Sequence, residues 1–125
     1  MAIIKGAETL FDIVTDTSEV ENIIKFRDSI VSFMADWCGP CVRTVRSLRY
    51  NVEVMDFLRR NDIKMFYVDV DSFPDYSAQN IFIGVPHFDF YTSGKYVGSI
   101  VGFVDGRKIL DLLEEIYSKK PTIQT

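Results

Sequence analysis

The stretch Ser29-Ile30-Val31-Ser32-Phe33-Met34-Ala35-Asp36-Trp37-Cys38-Gly39-Pro40-Cys41 decides how the rest of the chain is read. Residues 29 to 35 are almost all apolar on both alternating sides. Ile30 and Met34 flank Ser32 on one side and Val31, Phe33 and Ala35 lie on the other, the pattern of a strand inside a sheet covered on both faces. The strand runs into Trp37-Cys38-Gly39-Pro40-Cys41, a turn that holds the only 2 cysteines of the sequence. Two intervening residues let the sulfurs close a small ring on oxidation, and a helix starting there aims its unpaired N–H groups at the first sulfur. The spacing therefore reads as a redox dithiol. A structural zinc site needs four nitrogen or sulfur ligands, whereas the chain offers two thiols and one distant histidine, His87. A purely structural disulfide would close too small a loop here to restrain the unfolded chain.

Outward from this turn the sequence shows no internal repeat, low-complexity tract or Gly/Ser-rich linker. Residues 1–125 are read as one domain with a frayed tail over about 119–125, and 125 residues suffice to bury a core without help from disulfides. Hydrophobic residues at 47% and charged residues at 26% are ordinary for a soluble globular protein. Basic side chains number 14 and acidic ones 18, a net charge of −4 that gives no footprint for nucleic acid or an anionic membrane. No run approaches the roughly 20 apolar residues of a membrane span. Met1 to Gly6 shows no basic leader followed by an apolar run, so no secretory signal is expected. Both cysteines in one active turn suit a reducing cytoplasm, the expected location.

A strand is expected near Leu10 to Val14, then a helix capped at Thr17-Ser18 with Val20, Ile23 and Ile24 on its buried face. The cysteine turn leads into a helix expected to run to about Arg60, with Val42, Val45, Leu48, Val52 and Met55 inward and Arg43, Arg46 and Arg49 outward. Lys64 to Val70 reads as a second buried strand, and Pro74 to Asn80 as at most a short helix. His87 to Thr92 and Lys95 to Val101 flank Ser93-Gly94, a hairpin signal. The last helix starts near Asp105, with Ile109, Leu112, Leu113 and Ile116 inward, Asp111, Glu114 and Glu115 outward, and Lys119 and Lys120 toward its negative end. A parallel βαβ unit followed by a hairpin gives an α/β fold, a mixed central sheet with helices on both faces. The dithiol then sits at the carboxyl end of a central strand, where reactive groups of open α/β sheets gather.

The pentapeptide, the apolar strand before it, Gly84-Val85-Pro86, and Val101-Gly102 ahead of the last helix together resemble thioredoxin, over roughly Leu10 to Tyr117. The resemblance implies the thioredoxin fold and a thiol–disulfide oxidoreductase that reduces protein disulfides, with a redox-active Cys38–Cys41 disulfide and no bound cofactor or metal. Electrons are expected from a separate NADPH-dependent thioredoxin reductase, and a monomer is expected. Cys38, exposed at the helix start, is expected to be the nucleophile, since free cysteine titrates near ~8.5 and such settings lower it. Cys41 is expected to resolve the mixed disulfide. Gly39 lets a substrate backbone approach, and Pro40 is tolerated in the first helical turn. By resemblance Pro86 is cis and faces the dithiol. Trp37, Gly84, Val85, Pro86, Val101 and Gly102 form the substrate surface, with Val85 offering main-chain hydrogen bonds. Trp37 taken alone also suits a core position.

The chain departs from that family where acid/base support is concerned. The buried acid that precedes the nucleophile in the same strand is Ser32 here, and serine takes up no proton at neutral pH. The lysine often paired with that acid aligns with Tyr67, a frequent tryptophan with Met34, and the helix-kinking proline with Arg46. Proton transfer from Cys41 is then expected to go through water held by Ser32 or to the departing thiolate, unless Ser32 is simply a small core residue. His87 falls near the dithiol by the same alignment, either as a surface or substrate-contact residue or as a cation favouring the Cys38 thiolate. The three arginines read as a solvated helix face on which acidic partners could dock. A second function class stays open, a binding or chaperone-like subunit in which redox activity is incidental. The missing acid and the bulky Phe103 after Gly102 motivate it.

Overall fold

Alternation, capping residues and turn chemistry divide the chain into five strands and five helices in a computed structural model that describes residues 2–81 and 83–118. In order they are β1 (Asp12–Ile13), α1 (Thr17–Ile24), β2 (Ser29–Met34), α2 (Gly39–Leu48), α3 (Val52–Arg60), β3 (Lys64–Asp69), α4 (Pro74–Asn80), β4 (His87–Thr92), β5 (Lys95–Val101) and α5 (Gly106–Tyr117). The strands form one sheet in the order β1-β3-β2-β4-β5. β1 and β2 run parallel to β3, whereas β4 pairs antiparallel with both β2 and β5. The mixed sheet with helices on both faces is the expected α/β architecture.

All six residues of β2 are buried, as its two-sided apolarity predicts. Ile30 and Met34 join Tyr67, Phe88 and Phe90 under Val45 and Leu48 of α2, Val54 and Phe57 of α3, and Ile109, Leu113 and Tyr117 of α5. On the opposite face Val31 and Phe33 join Phe66, Val68, and Val20 and Ile24 of α1. The Tyr117 hydroxyl lies 3.0 Å from the carbonyl oxygens of both Ser29 and Tyr91, so the end of α5 is tied to β2 and β4.

The single helix expected from the cysteine turn to Arg60 is two. The Asn51 side chain accepts the Val54 N–H at 2.9 Å and caps α3, an alternative to continuing the helix that asparagine favours. The break resets the buried stripe. Val54, Phe57 and Leu58 turn inward, Met55 is half-buried, and Val52 is 75% exposed rather than part of the inner row. At the start of α1 the cap is Asp16, whose carboxylate accepts the Ser18 N–H at 3.0 Å, and not Thr17-Ser18. β1 is shorter than Leu10 to Val14, because the Phe11 N–H is used by a preceding 3₁₀ turn, bonding to Ala7 O at 2.8 Å. Lys119, Lys120 and the tail expected over 119–125 lie outside the described residues.

The β4–β5 hairpin turns on Ser93 and Gly94, both with positive φ (48° and 89°), the conformation a two-residue primed turn requires. A Cβ on Gly94 would lie 2.4 Å from the Lys25 carbonyl oxygen, while Ser93 N donates to Asp28 Oδ1 at 2.9 Å. The hairpin tip is thus seated on the segment between α1 and β2. Gly94→Ala is expected to cost about 2 kcal/mol, strain plus overpacking, read as a lowered urea midpoint. An unchanged midpoint would show the tip to be free of that segment.

Candidate active site

β2 ends at Met34 and its continuation delivers Cys38 to the start of α2, where Cys38 is the N-cap. The Cys41 N–H points at Cys38 Sγ at 3.1 Å, so a backbone donor of the first turn serves the sulfur instead of a side-chain oxygen. Cys38 and Cys41 are joined as a disulfide with their Cα atoms 5.2 Å apart. Pro40 occupies the first turn of α2, where its missing N–H leaves no helical bond unmade. Cys41 is fully buried. Cys38 was expected to be exposed but keeps only 5% of its surface, because Trp37, Gly39 and Pro40 on one side and Ile81, Gly84 and Val85 on the other wall a cleft of about 520 Å³ around it.

The Val85–Pro86 peptide bond is cis, and Val85 O lies 3.5 Å from Cys38 Sγ. Gly102 N donates to Pro86 O at 2.9 Å, which brings Val101-Gly102 alongside the same loop. Trp37 is 67% exposed and tethered by its indole N–H to Asp71 Oδ2 at 2.8 Å, so it is a wall of the cleft and not core. The structure therefore gathers Trp37, Gly39, Pro40, Gly84 and Val85 around the cysteine pair, with Pro86 joined to Val85 by the cis bond and Gly102 bonded to Pro86, whereas Val101, the register partner of His87, lines a different cavity. Arg43 adds a cation to the same rim, its guanidinium 5.5 Å from the centre of the Phe103 ring. The tether to Asp71 was missed in the sequence, where its only trace is an acid just past the second buried strand.

Ser32 and Tyr67 are register partners in adjacent strands. Ser32 Oγ is buried with no hydrogen-bond partner among the described residues, and Tyr67 Oη accepts the Ile4 N–H at 3.2 Å. Burial pushes the Tyr67 phenol up to about 12, so this side chain is neutral at physiological pH and replaces a lysine with no charge. Arg46 is exposed and Met34 is core.

His87 is not at the dithiol. It is buried on the opposite face of the sheet, edge-on to Phe33, with Nε2 2.7 Å from Asp89 Oδ1. Strand alternation explains the correction: Phe88 and Phe90 face the dithiol-side core, so His87 and Asp89 must face away. Among the described residues no group of His, Cys, Asp and Glu is arranged to hold a metal ion, and no helix is long and apolar enough to cross a membrane.

A family model described as Thioredoxin matches residues 12–115. Mitochondrial thioredoxin-3 of Saccharomyces cerevisiae is 30% identical over 89 residues, 70% of this chain and 66% of that protein. A thioredoxin of Staphylococcus epidermidis is 29% identical over 115 residues, 92% of this chain and 98% of its own length. The solution structure of the oxidised thioredoxin of Plasmodium falciparum superposes with a TM-score of 0.67 at 27% identity, covering 86% of this chain and 99% of that one.

Proposed function

Because this chain belongs to the thioredoxin family, it is a thiol–disulfide oxidoreductase, and we propose that it works as a reductant of disulfides in other proteins. The observation that carries this reading is the Cys41 N–H aimed at Cys38 Sγ across the N-terminus of α2. After reduction that donor and the helix dipole favour a thiolate at Cys38, the sulfur that opens onto the cleft. The thiolate attacks one sulfur of the partner's disulfide, the partner's S–S bond breaks, and its other sulfur leaves and is protonated. Cys41 then gives up its proton and attacks Cys38 Sγ, and the second partner sulfur departs. Two electrons and two protons have passed to the partner, and the 38–41 disulfide is restored. A purely binding role is disfavoured, since it gives the paired cysteines at the cleft floor no work.

An extended partner segment lies along Val85, whose main chain borders the sulfur, with Trp37, Gly84, Pro86 and Gly102 as its surround. A separate NADPH-dependent thioredoxin reductase returns the dithiol to its reduced state. The protein acts as a cytoplasmic monomer in this reading, supported by the confinement of both cysteines to one reducing site. Equilibration with glutathione tests the direction. A reductant has a potential more negative than roughly −230 mV, whereas a value near about −120 mV would make the protein an oxidant and overturn the proposal.

A further inference from the structure

On the face of the sheet away from the dithiol lies a second cavity of about 500 Å³. The loop ending in Pro86 is the partition between the two: Ile81, Gly84 and Val85 line the dithiol cleft, whereas Asn80, Ile83 and His87 line the second cavity. At its base is Asp89, 4% exposed, whose Oδ1 is 2.7 Å from His87 Nε2 and accepts the Ser99 hydroxyl at 2.5 Å. Asp89 Oδ2 receives no hydrogen bond from the described residues. The carboxylate stands between hydroxyl and imidazole, so this is no nucleophile triad, in which the imidazole must reach the serine.

Asp89 is the one carboxylate among the described residues lining the cavity, and its Oδ1 is paired with the His87 imidazole. No lysine or arginine lines it among the described residues. Burial first, then the negative charges of Asp89 and Glu21, push the Tyr91 phenol up to about 12, so the ring is a neutral phenol at physiological pH. The rings of Tyr91 and Tyr96 meet edge to face with centroids 5.8 Å apart and give the cavity an aromatic wall. Ile83 and Val101 add apolar surface, and both are exposed.

We propose that this cavity is a subsite for the cationic side chain, lysine or arginine, of a disulfide-bearing partner held at the dithiol cleft. The carboxylate takes the charge, the tyrosine faces attract it, and the methylene stem lies on Ile83 and Val101. The two sites are near enough to act on one segment. Val101 lines the cavity while its neighbour Gly102 is bonded to Pro86, and from Val85 to His87 the Cα atoms span at most about 6.7 Å, about 2.9 Å across the cis bond and about 3.8 Å across the trans bond after it. The proposal rests on the thiol–disulfide exchange reading above and adds a substrate class to it.

The test uses peptides joined through a disulfide to a fluorescent thiol, with arginine or uncharged citrulline at each of the two positions on either side of the cysteine. In the wild-type protein kcat/KM is expected to favour arginine by about tenfold at one of those positions, the worth of one charge-assisted contact. The ratio is expected to fall toward one in Asp89→Asn. It is also expected to fall in Gln79→Lys, which sets a fixed cation at the exposed lip of the cavity. A ratio taken within one sample does not depend on how much of that sample is folded. Equal rates in the wild type, or a preference that survives both variants, would overturn the subsite. Binding of the same peptides with serine for cysteine to the oxidised protein, followed through the amide signals of Tyr91 and Ser99, separates the two readings. Charge-selective binding without turnover upholds the subsite and removes the exchange reading, and turnover without charge selectivity does the reverse.

Discussion

Cys41→Ser is expected to turn the protein from a catalyst into a trap. Turnover of a protein disulfide falls by at least about 10³-fold, while a covalent adduct on Cys38 accumulates and survives gel electrophoresis without reductant. The size follows from effective concentration. The resolving thiol is held in the first turn of α2 against Cys38, and well-oriented internal groups act at effective molarities far above 1 M. An external thiol at millimolar concentration must do the same work once Cys41 is gone. Cys38→Ser is expected to lose as much turnover and to yield no adduct, because Cys41 is fully buried beneath the cleft. An adduct mapped by mass spectrometry to residue 41, or Cys41→Ser turnover within tenfold of the parent, would reverse the assigned roles.

What was legible in the sequence was local. The two-sided apolar run of β2, the cysteine turn that caps α2 and the Ser93-Gly94 hairpin each follow from neighbours in the chain, and each is present. The break at Asn51 was less visible, because Val52 and Met55 continue a plausible helical stripe; only the competition of the Asn51 side chain for the Val54 N–H ends the first helix. Long-range pairings were not legible at all. The tether from Trp37 to Asp71 depends on how β3 is brought beside β2, and crossover geometry leaves no mark in local periodicity. The bond from Ser99 to Asp89 lies within the legible hairpin, but the register shift at Phe90/Tyr91 that makes the two residues partners was not read. The Ser32–Tyr67 pairing came from family resemblance, not from pattern. His87 shows the reverse case. Its alternation with Phe88 was readable, yet proximity in sequence to Pro86 was allowed to outweigh the face on which the side chain stands.

Ser32→Asp is expected to have the largest effect on stability of any change at the site, and a pH dependence of known sign. Ser32 is fully buried in the middle of the sheet, its hydroxyl unpartnered, so a carboxylate there loses its hydration without gaining a donor already in place. Burial raises the folded-state pKa of the introduced carboxyl, and a rise of about three units is worth roughly 4 kcal/mol. The folded state then holds the proton more tightly than the unfolded one. The penalty is absent below the unfolded value of about 3.9, grows as pH rises toward the raised value, and is constant above it. Urea midpoints of variant and parent are therefore expected to agree most closely near pH 4 and to differ most near pH 8, and a gap that does not change with pH would refute a buried ionising carboxyl. The same group would give Cys41 a proton acceptor that the parent lacks. Release of partner from the mixed disulfide, measured on the folded fraction, is expected to accelerate as the introduced carboxyl ionises, whereas an unchanged pH profile would show that proton transfer from Cys41 does not limit the parent. Ser32→Ala separates the remaining possibilities. An unpartnered buried hydroxyl removed without other loss leaves stability equal or higher, and a release rate that nonetheless falls would place Ser32 itself in the path of the proton.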